Sequence, residues 1–192
     1  MTVGLVLDFP GGTKQQYEDL RDRMGVGDHM PPGGVVHTAG SYAGGWRVID
    51  VWDSLGAFER FRDEQIVPNA AGTGLAPPRM QVLEVDDEMP DDGRPPAFVQ
   101  FIVLPGLDRA AFRAVHVQVV PGNARPDGAT FHVNGPWEDG WCVIDGWTSK
   151  ALRDHFMERT GTFIATAPLS GPPTIEELTV EATLHGRTAA RA

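Results

Sequence analysis

The first quarter of the chain alternates a short apolar run with an amphipathic segment. Residues 3–9 (VGLVLDF) are apolar and end at Pro-Gly, which is typical of a strand closed by a turn. Tyr17, Leu20 and Met24 then recur at helical spacing. The pattern predicts a strand followed by a helix.

Two further apolar stretches, 35–39 and 46–52, are separated by a Gly-containing turn and predict a β-hairpin. Ser54 has the position of an N-cap and precedes a second amphipathic segment. The alternating stretch 79–85 closes the series as a strand. The predicted order is βαββαβ, which is the ferredoxin-like arrangement.

The same pattern occurs twice. A shift of 95 residues aligns residues 3–90 with 98–185 without a gap, and 20 of the 88 aligned positions are identical. Chance would give roughly one identity in fifteen for an ordinary composition. The longest conserved block pairs HTAGSYAGGWRVIDVWDS (37–54) with HVNGPWEDGWCVIDGWTS (132–149). The chain is therefore a tandem duplication.

The duplication sets the expected domain boundaries. We expect a ferredoxin-like first repeat over 1–86 and a second over 97–185. Residues 87–96 are acidic and Pro-rich and predict a linker, and residues 186–192 predict a disordered tail.

Each predicted sheet has helices on one face only. In the third strand Ile49 and Val51 alternate with Val48 and Trp52, so both faces of the sheet carry apolar side chains. An exposed apolar sheet face is unfavourable in water. We therefore expect an α+β fold in which the two ferredoxin-like sheets pack together into a pseudo-dimeric α/β barrel.

Composition narrows the function classes. The net charge of −10 disfavours nucleic acid and anionic membrane surfaces. No apolar run approaches the roughly 20 residues that span a bilayer, and the N-terminus lacks the features of a signal peptide. These features predict a cytoplasmic protein. The duplication predicts that the protein is a monomeric pseudo-dimer or a homodimer. The single cysteine, Cys142, excludes an internal disulfide, and we expect it to be a buried, inert thiol.

The strongest candidate chemistry is a His–Asp pair in each repeat. Counting through the hairpin turn places His37 opposite about residues 48–50, so that it can meet Asp50; His132 and Asp145 are equivalent. Such a pair can act as a general base, with the carboxylate orienting the imidazole. The alternative is a structural pair that satisfies two half-buried polar groups.

Aromatic side chains near these pairs could bind a flat ligand. The candidates are Trp52 and Trp147 at the ends of the third strands, Tyr42 and Trp137 at the hairpin turns, and Arg62 on the second helix. Each has a structural alternative: core packing for the tryptophans, and solvent exposure for the turn aromatics and the arginine. We expect His116 and His155 to be surface residues, because their counterparts in the first repeat are arginines.

The segment GGWRVIDVWDSLGAFERF, and more weakly DGWCVIDGWTSKALRDHF, resembles the dimeric α/β-barrel superfamily that includes antibiotic-biosynthesis monooxygenases. The closest similarity is to tandem-fused members from actinobacteria. The resemblance implies a cavity between each sheet and its helices, and a pocket role for Trp52 and Trp147. Haem-degrading members carry a His where this chain has approximately Arg62 or Met157, and an Asn on a first strand that here has none. The resemblance therefore argues against haem.

Two main hypotheses follow. The first is an enzyme that acts on a small aromatic or polyketide-like molecule without an organic cofactor or metal, by oxygenation, cyclisation or isomerisation. The second is a non-catalytic or stress-associated module that binds a small apolar ligand. A purely structural partner of another biosynthetic protein is a third possibility.

Overall fold

The computed structural model of the chain describes residues 1–186 and contains two compact α+β units. Within the described residues, one unit comprises residues 1–82 with residues 178–186, and the other comprises residues 83–177. The predicted disordered tail falls almost entirely outside the described residues.

The predicted βαββαβ order is present in both repeats. The elements of the first repeat are β1 (Val3–Pro10), α1 (Lys14–Met24), β2 (Gly34–Tyr42), β3 (Gly45–Trp52), α2 (Leu55–Phe61), a π-helical turn (Arg62–Ile66), α3 (Val67–Ala70), β4 (Arg79–Glu84) and β5 (Asp87–Met89). Those of the second are β6 (Phe98–Pro105), α4 (Arg109–Val119), a 3₁₀ turn (Pro121–Asn123), β7 (Ala129–Trp137), β8 (Gly140–Trp147), α5 (Lys150–Ile164), β9 (Thr174–Thr179) and β10 (Ala182–His185).

Helices α1, α2 and α5 each begin after a residue whose side chain caps the first turn, and Ser54 is the cap that the sequence predicts. Thr13 accepts the backbone N–H of Gln16 and completes a capping box, and Ser54 accepts the N–H of Ala57. Ser149 caps α5 in the same way. These caps satisfy N–H groups that have no partner inside the helix, so they fix where each helix leaves its sheet.

Each sheet has five antiparallel strands, one more than the repeat pattern predicts. The orders are β10-β2-β3-β1-β4 and β5-β7-β8-β6-β9. Strand β5 lies within the segment that the sequence predicts to be a linker and pairs with β7, with Asp87 opposite Asn134. Strand β10 pairs with β2, with Leu184 opposite His37. The repeats have thus exchanged their last strands.

In the first unit, the core lies between the sheet and its helices. It includes Leu5, Trp46 and Trp52 from the strands and Tyr17 and Phe58 from the helices. Trp52 packs edge-on against Phe58, with ring centroids 5.7 Å apart. This packing fixes the strand face on which the His–Asp pair lies.

The two hairpins differ by a compensating pair of substitutions on the sheet face that does not carry the histidine and aspartate side chains. Val36 lies opposite Val51 in the first unit, whereas Phe131 lies opposite Gly146 in the second. A Cβ added at Gly146 would collide with the Phe131 ring and with Thr130 Oγ1. The second repeat has therefore exchanged two medium side chains for one large ring and one hydrogen.

We expect Gly146→Val to lower the unfolding free energy by about 1–3 kcal/mol, because the added side chain overpacks a buried site. Adding Phe131→Val should restore most of the loss, since the pair then matches the first repeat. Urea denaturation of the wild type, both single variants and the double variant measures this coupling. Additive effects would contradict the compensation.

Candidate functional site

The hairpin registers bring each histidine opposite its aspartate, as the counting argument predicts. His37 pairs with Asp50 across β2 and β3, and His132 with Asp145 across β7 and β8. The Nδ1–Oδ1 distances are 2.7 Å in the first unit and 2.6 Å in the second. The two pairs have the same backbone geometry, so their differences arise from the side chains around them.

In the first unit, neighbouring side chains use every polar atom of the pair. Tyr17 Oη lies 2.7 Å from His37 Nε2, and the two rings stack with centroids 5.9 Å apart. Trp52 Nε1 donates to Asp50 Oδ2 at 3.2 Å. Burial raises the pKa of Tyr17 far above its usual range, so the phenol remains protonated and donates to His37. The hydrogen-bonded series Tyr17–His37–Asp50–Trp52 therefore leaves no polar atom of the His37–Asp50 pair without a partner.

The buried phenol predicts a loss of stability in alkali. The ordinary pKa of tyrosine is 10.0, and burial is the largest cause of the rise at Tyr17. Above that pH the unfolded chain loses the proton while the folded chain keeps it, so unfolding becomes more favourable as the pH increases. The expected slope is at most about 1.4 kcal/mol per pH unit.

Urea denaturation between about pH 9 and pH 11 tests this linkage. Tyr17→Phe should be less stable at neutral pH by about 1–3 kcal/mol, because His37 Nε2 loses its partner. It should also lose stability less steeply in alkali. Phe112→Tyr is a matched control at the equivalent position of the second unit. Parallel alkaline slopes in the wild type and Tyr17→Phe would contradict the assignment.

In the second unit, Asn134 takes the place of the tyrosine as the partner of the histidine. Asn134 Nδ2 lies 2.9 Å from His132 Nε2 and 3.2 Å from the carbonyl oxygen of Asp87. Trp141 Nε1 donates to Asn134 Oδ1 at 3.0 Å. Asn134 is fully buried and aligns with Ala39, so this network belongs to the second repeat alone.

A cavity of about 140 Å³ lies beside the second pair. Its wall is apolar except for three residues, His116, His132 and Asp145. The apolar wall comes from the sheet, the helices α4 and α5, and the following loops, and includes Ile102, Leu104, Phe112, Val115, Val143, Trp147, Phe156 and Met157. An engineered cavity of about 150 Å³ binds benzene, so this cavity has the size of one aromatic ring.

Side-chain size explains why space exists at this place. Leu104 and Val115 occupy the positions of Phe9 and Leu20, which are both buried in the first unit. Each of these replacements removes volume from the interior of the second unit.

A further replacement changes the contacts of one side chain. Arg153 replaces the buried Phe58 and lies instead against Phe98, with its guanidinium bonded to Glu177. The second unit therefore lacks the counterpart of Phe58, whereas Phe156 packs against Trp147 as Phe61 packs against Trp52.

The two tryptophans singled out in the sequence are both buried next to a His–Asp pair. Trp147 lines the cavity, and its Nε1 has no hydrogen-bond partner among the described residues. Trp52 donates to Asp50, the bond that Trp147 does not make to Asp145. This difference leaves the second carboxylate with an unused oxygen.

The other candidates are not among the residues that line the cavity. The Tyr42 ring packs against the Arg47 guanidinium at 4.7 Å, and Trp137 packs edge-on against Phe101 at 5.3 Å. Arg62 bonds to Asp63 on the helix surface.

His116 is the site residue that the sequence reasoning missed. The prediction of a surface position was wrong: its ring lines the cavity and stacks between Phe112 at 5.2 Å and His132 at 5.3 Å. Burial, followed by the neighbouring His132, holds the pKa of His116 below its usual value. His116 follows Phe112 by four residues and so lies on the apolar face of α4. This spacing could have predicted its half-buried position from the sequence.

Three further findings concern the cysteine, metal binding and membrane-spanning helices. Cys142 is fully buried, and burial raises the pKa of its thiol well above the usual range, as expected for an inert cysteine. Within residues 1–186, no cluster of three or more His, Cys, Asp or Glu side chains could hold a metal ion. No helix in that range is long and apolar enough to cross a membrane.

The fold is shared with solved structures across nearly the whole chain. A candidate monooxygenase from Fusobacterium nucleatum matches with a TM-score of 0.72 at 12% identity, covering 96% of this chain and 94% of that one. Another from Lactobacillus acidophilus gives 0.69 at 13% identity, covering 96% of each chain. A ferredoxin-fold protein related to antibiotic biosynthesis monooxygenases, from Listeria monocytogenes, gives 0.53 at 9%, covering 95% and 96%.

No protein-family model matches the sequence, and no curated protein matches it either. At these identities the structural matches establish the fold and leave the chemistry to be argued from the site. The chain has the α+β ferredoxin-like fold of the antibiotic-biosynthesis-monooxygenase-like structures, present here as two repeats.

Proposed function

We propose that this protein is an enzyme that acts on a small aromatic substrate in the cavity of its second unit, with His132 and Asp145 as the acid–base pair and without an organic cofactor. The first unit carries the equivalent residues His37 and Asp50 in a structural role. The chain would thus hold one working site.

One observation carries the proposal: a ring-sized apolar cavity whose few polar wall residues include a hydrogen-bonded His–Asp pair. An apolar cavity with a small number of convergent polar groups is the usual form of a small-molecule site. The apolar wall lowers the local dielectric constant and so strengthens the electrostatic effect of the pair on a bound substrate.

The three reactions expected from the sequence share a first step. Cofactor-free oxygenation, cyclisation and isomerisation of an activated aromatic or polyketide-like compound can each begin with removal of a proton from an acidic C–H or O–H bond. A positioned base typically accelerates such a step by about 10²- to 10⁴-fold. The cavity volume favours a single ring over a fused polyketide skeleton. The structural similarity to candidate monooxygenases supports the oxygenation branch.

Deuterium exchange tests the shared step whatever the final product. The protein is incubated in D₂O with a panel of single-ring phenols and cyclic 1,3-diketones, and NMR follows deuterium entry at carbon. An oxygen electrode follows the same panel. We expect exchange or oxygen uptake above the buffer rate for at least one compound. Buffer rates throughout the panel would contradict the enzymatic proposal.

The second candidate function is a module that binds an apolar ligand without converting it. The apolar character of the cavity wall favours it, because a hydrophobic ligand needs no acid–base group. Thermal stabilisation by toluene that survives His132→Ala, together with buffer-rate exchange for the whole panel, would support this function over catalysis.

A further inference from the structure

The two aspartates differ in how many of their oxygens are already used. In the first unit, Asp50 accepts from His37 through Oδ1 and from Trp52 through Oδ2. In the second, the Asp145 side chain accepts from His132 through Oδ1, and no other described group bonds to that side chain. The Asp145 side chain is 16% exposed and lines the cavity, against 7% for Asp50.

The hydrogen-bond network also fixes the direction in which His132 faces. The Trp141 indole can only donate, so the atom of Asn134 that it meets is the amide oxygen. The Asn134 nitrogen then donates to His132 Nε2 and to the carbonyl of Asp87. Nε2 therefore carries no proton, and the Nδ1–H of His132 donates to Asp145.

This assignment leaves His132 without a free lone pair. Its Nε2 lone pair is occupied by Asn134, and its Nδ1 proton is committed to Asp145. A substrate in the cavity could use Nε2 only by displacing a fully buried amide that already makes good hydrogen bonds. The unused oxygen of Asp145 needs no such displacement.

We infer that Asp145 Oδ2 is the atom that receives the substrate proton, and that His132, held by Asn134 and Trp141, is a positioning residue. This inference rests on the proposed function and reverses the roles usually given to a His–Asp pair. It also names the ligand class: a single apolar ring that carries one hydrogen-bond donor or acidic hydrogen.

The step balances without a redox partner. The bond from the substrate oxygen or carbon to hydrogen breaks, its electron pair stays on the substrate as a phenolate or enolate, and the proton bonds to Asp145 Oδ2. The Nδ1–H of His132 stays on nitrogen and maintains its hydrogen bond to Oδ1. Return of the proton to a different atom of the substrate completes an isomerisation and regenerates the carboxylate.

Nitrogen-15 NMR of the histidine rings tests the positioning role. For His132 at neutral pH we expect a protonated Nδ1 and an unprotonated, pyridine-like Nε2. Asn134→Leu should shift the Nε2 signal, because it removes the donor, while the His37 signals stay unchanged. A protonated His132 Nε2 in the wild type would overturn the inference.

Binding of phenol and toluene, which match in size, tests the carboxylate. Calorimetry with Asp145→Asn should show phenol affinity reduced by about tenfold, since a hydrogen bond to a charged group is lost, and toluene affinity within about twofold of wild type. Asp50→Asn is the matched control and should leave both affinities unchanged.

The outcomes separate this inference from the proposed function. Equal effects of Asp145→Asn on phenol and toluene would overturn the role of Asp145 while leaving a functional cavity. Failure of both compounds to bind the wild type would instead count against the cavity as a substrate site, and hence against the proposed function and this inference together.

Discussion

Replacing Asp145 by asparagine is expected to slow proton abstraction from a carbon acid bound in the second unit by about 10²- to 10⁴-fold. Asparagine keeps the size of the side chain and an oxygen that can accept from His132, but an amide is a far weaker base than a carboxylate. The loss should appear in the rate of deuterium exchange at saturating substrate, because the cavity itself is unchanged.

Asp50→Asn provides the internal control for this result. It makes the same chemical change at the same strand position, where both carboxylate oxygens are already bonded. The exchange rate of this variant should stay within about twofold of wild type. Comparable losses in the two variants, or a loss confined to Asp50→Asn, would contradict the assignment of the second unit as the working site.

Filling the cavity with the residues of the first repeat is expected to remove ligand binding and stabilise the protein. Leu104→Phe with Val115→Leu restores the larger side chains found at Phe9 and Leu20. Buried apolar volume replaces empty space, so the unfolding free energy should increase by about 1 kcal/mol. Affinity for toluene should decrease by at least about tenfold, because the ligand would have to displace these side chains.

The reciprocal change in the first unit distinguishes the effect of cavity size on stability from the general effect of substituting two core residues. Phe9→Leu with Leu20→Val should lower the unfolding free energy by about 2–4 kcal/mol, because both side chains are buried there. Denaturation with and without toluene measures both the unfolding free energy and the affinity for toluene. A cavity-filled variant that still binds toluene with wild-type affinity would show that the ligand lies elsewhere.

The local sequence pattern was sufficient to predict most of the fold. Period-two and helical patterns located the four main strands and two helical segments of each repeat, and the short hairpin loop fixed the register that brings His37 opposite Asp50. The exchanged strands were missed, because β5 and β10 have only three and four residues, which is too short for a periodic pattern to identify a strand. Their pairing depends on distant strands, which no local pattern specifies.

The candidate site was predictable only in part, because its chemistry depends on what surrounds each pair. The sequence placed both pairs but could not distinguish them. Tyr17 and Asn134 occupy Nε2 of the two histidines, and they lie on a helix and a strand whose contacts with the histidines arise from packing. The pairs differ in the second carboxylate oxygen, which Trp52 bonds in the first unit and Trp147 does not bond in the second. The cavity likewise results from the volumes of several side chains together, among them Leu104 and Val115.

The most direct test of the central claim is a crystal structure with 4-bromophenol, in which anomalous scattering locates the bromine without ambiguity. We predict a bromine peak within the cavity of the second unit, with the phenol oxygen in hydrogen-bond contact with Asp145 Oδ2, and no peak beside His37 and Asp50. A bromine peak beside the first pair, or a cavity that stays empty at saturating ligand, would contradict the account.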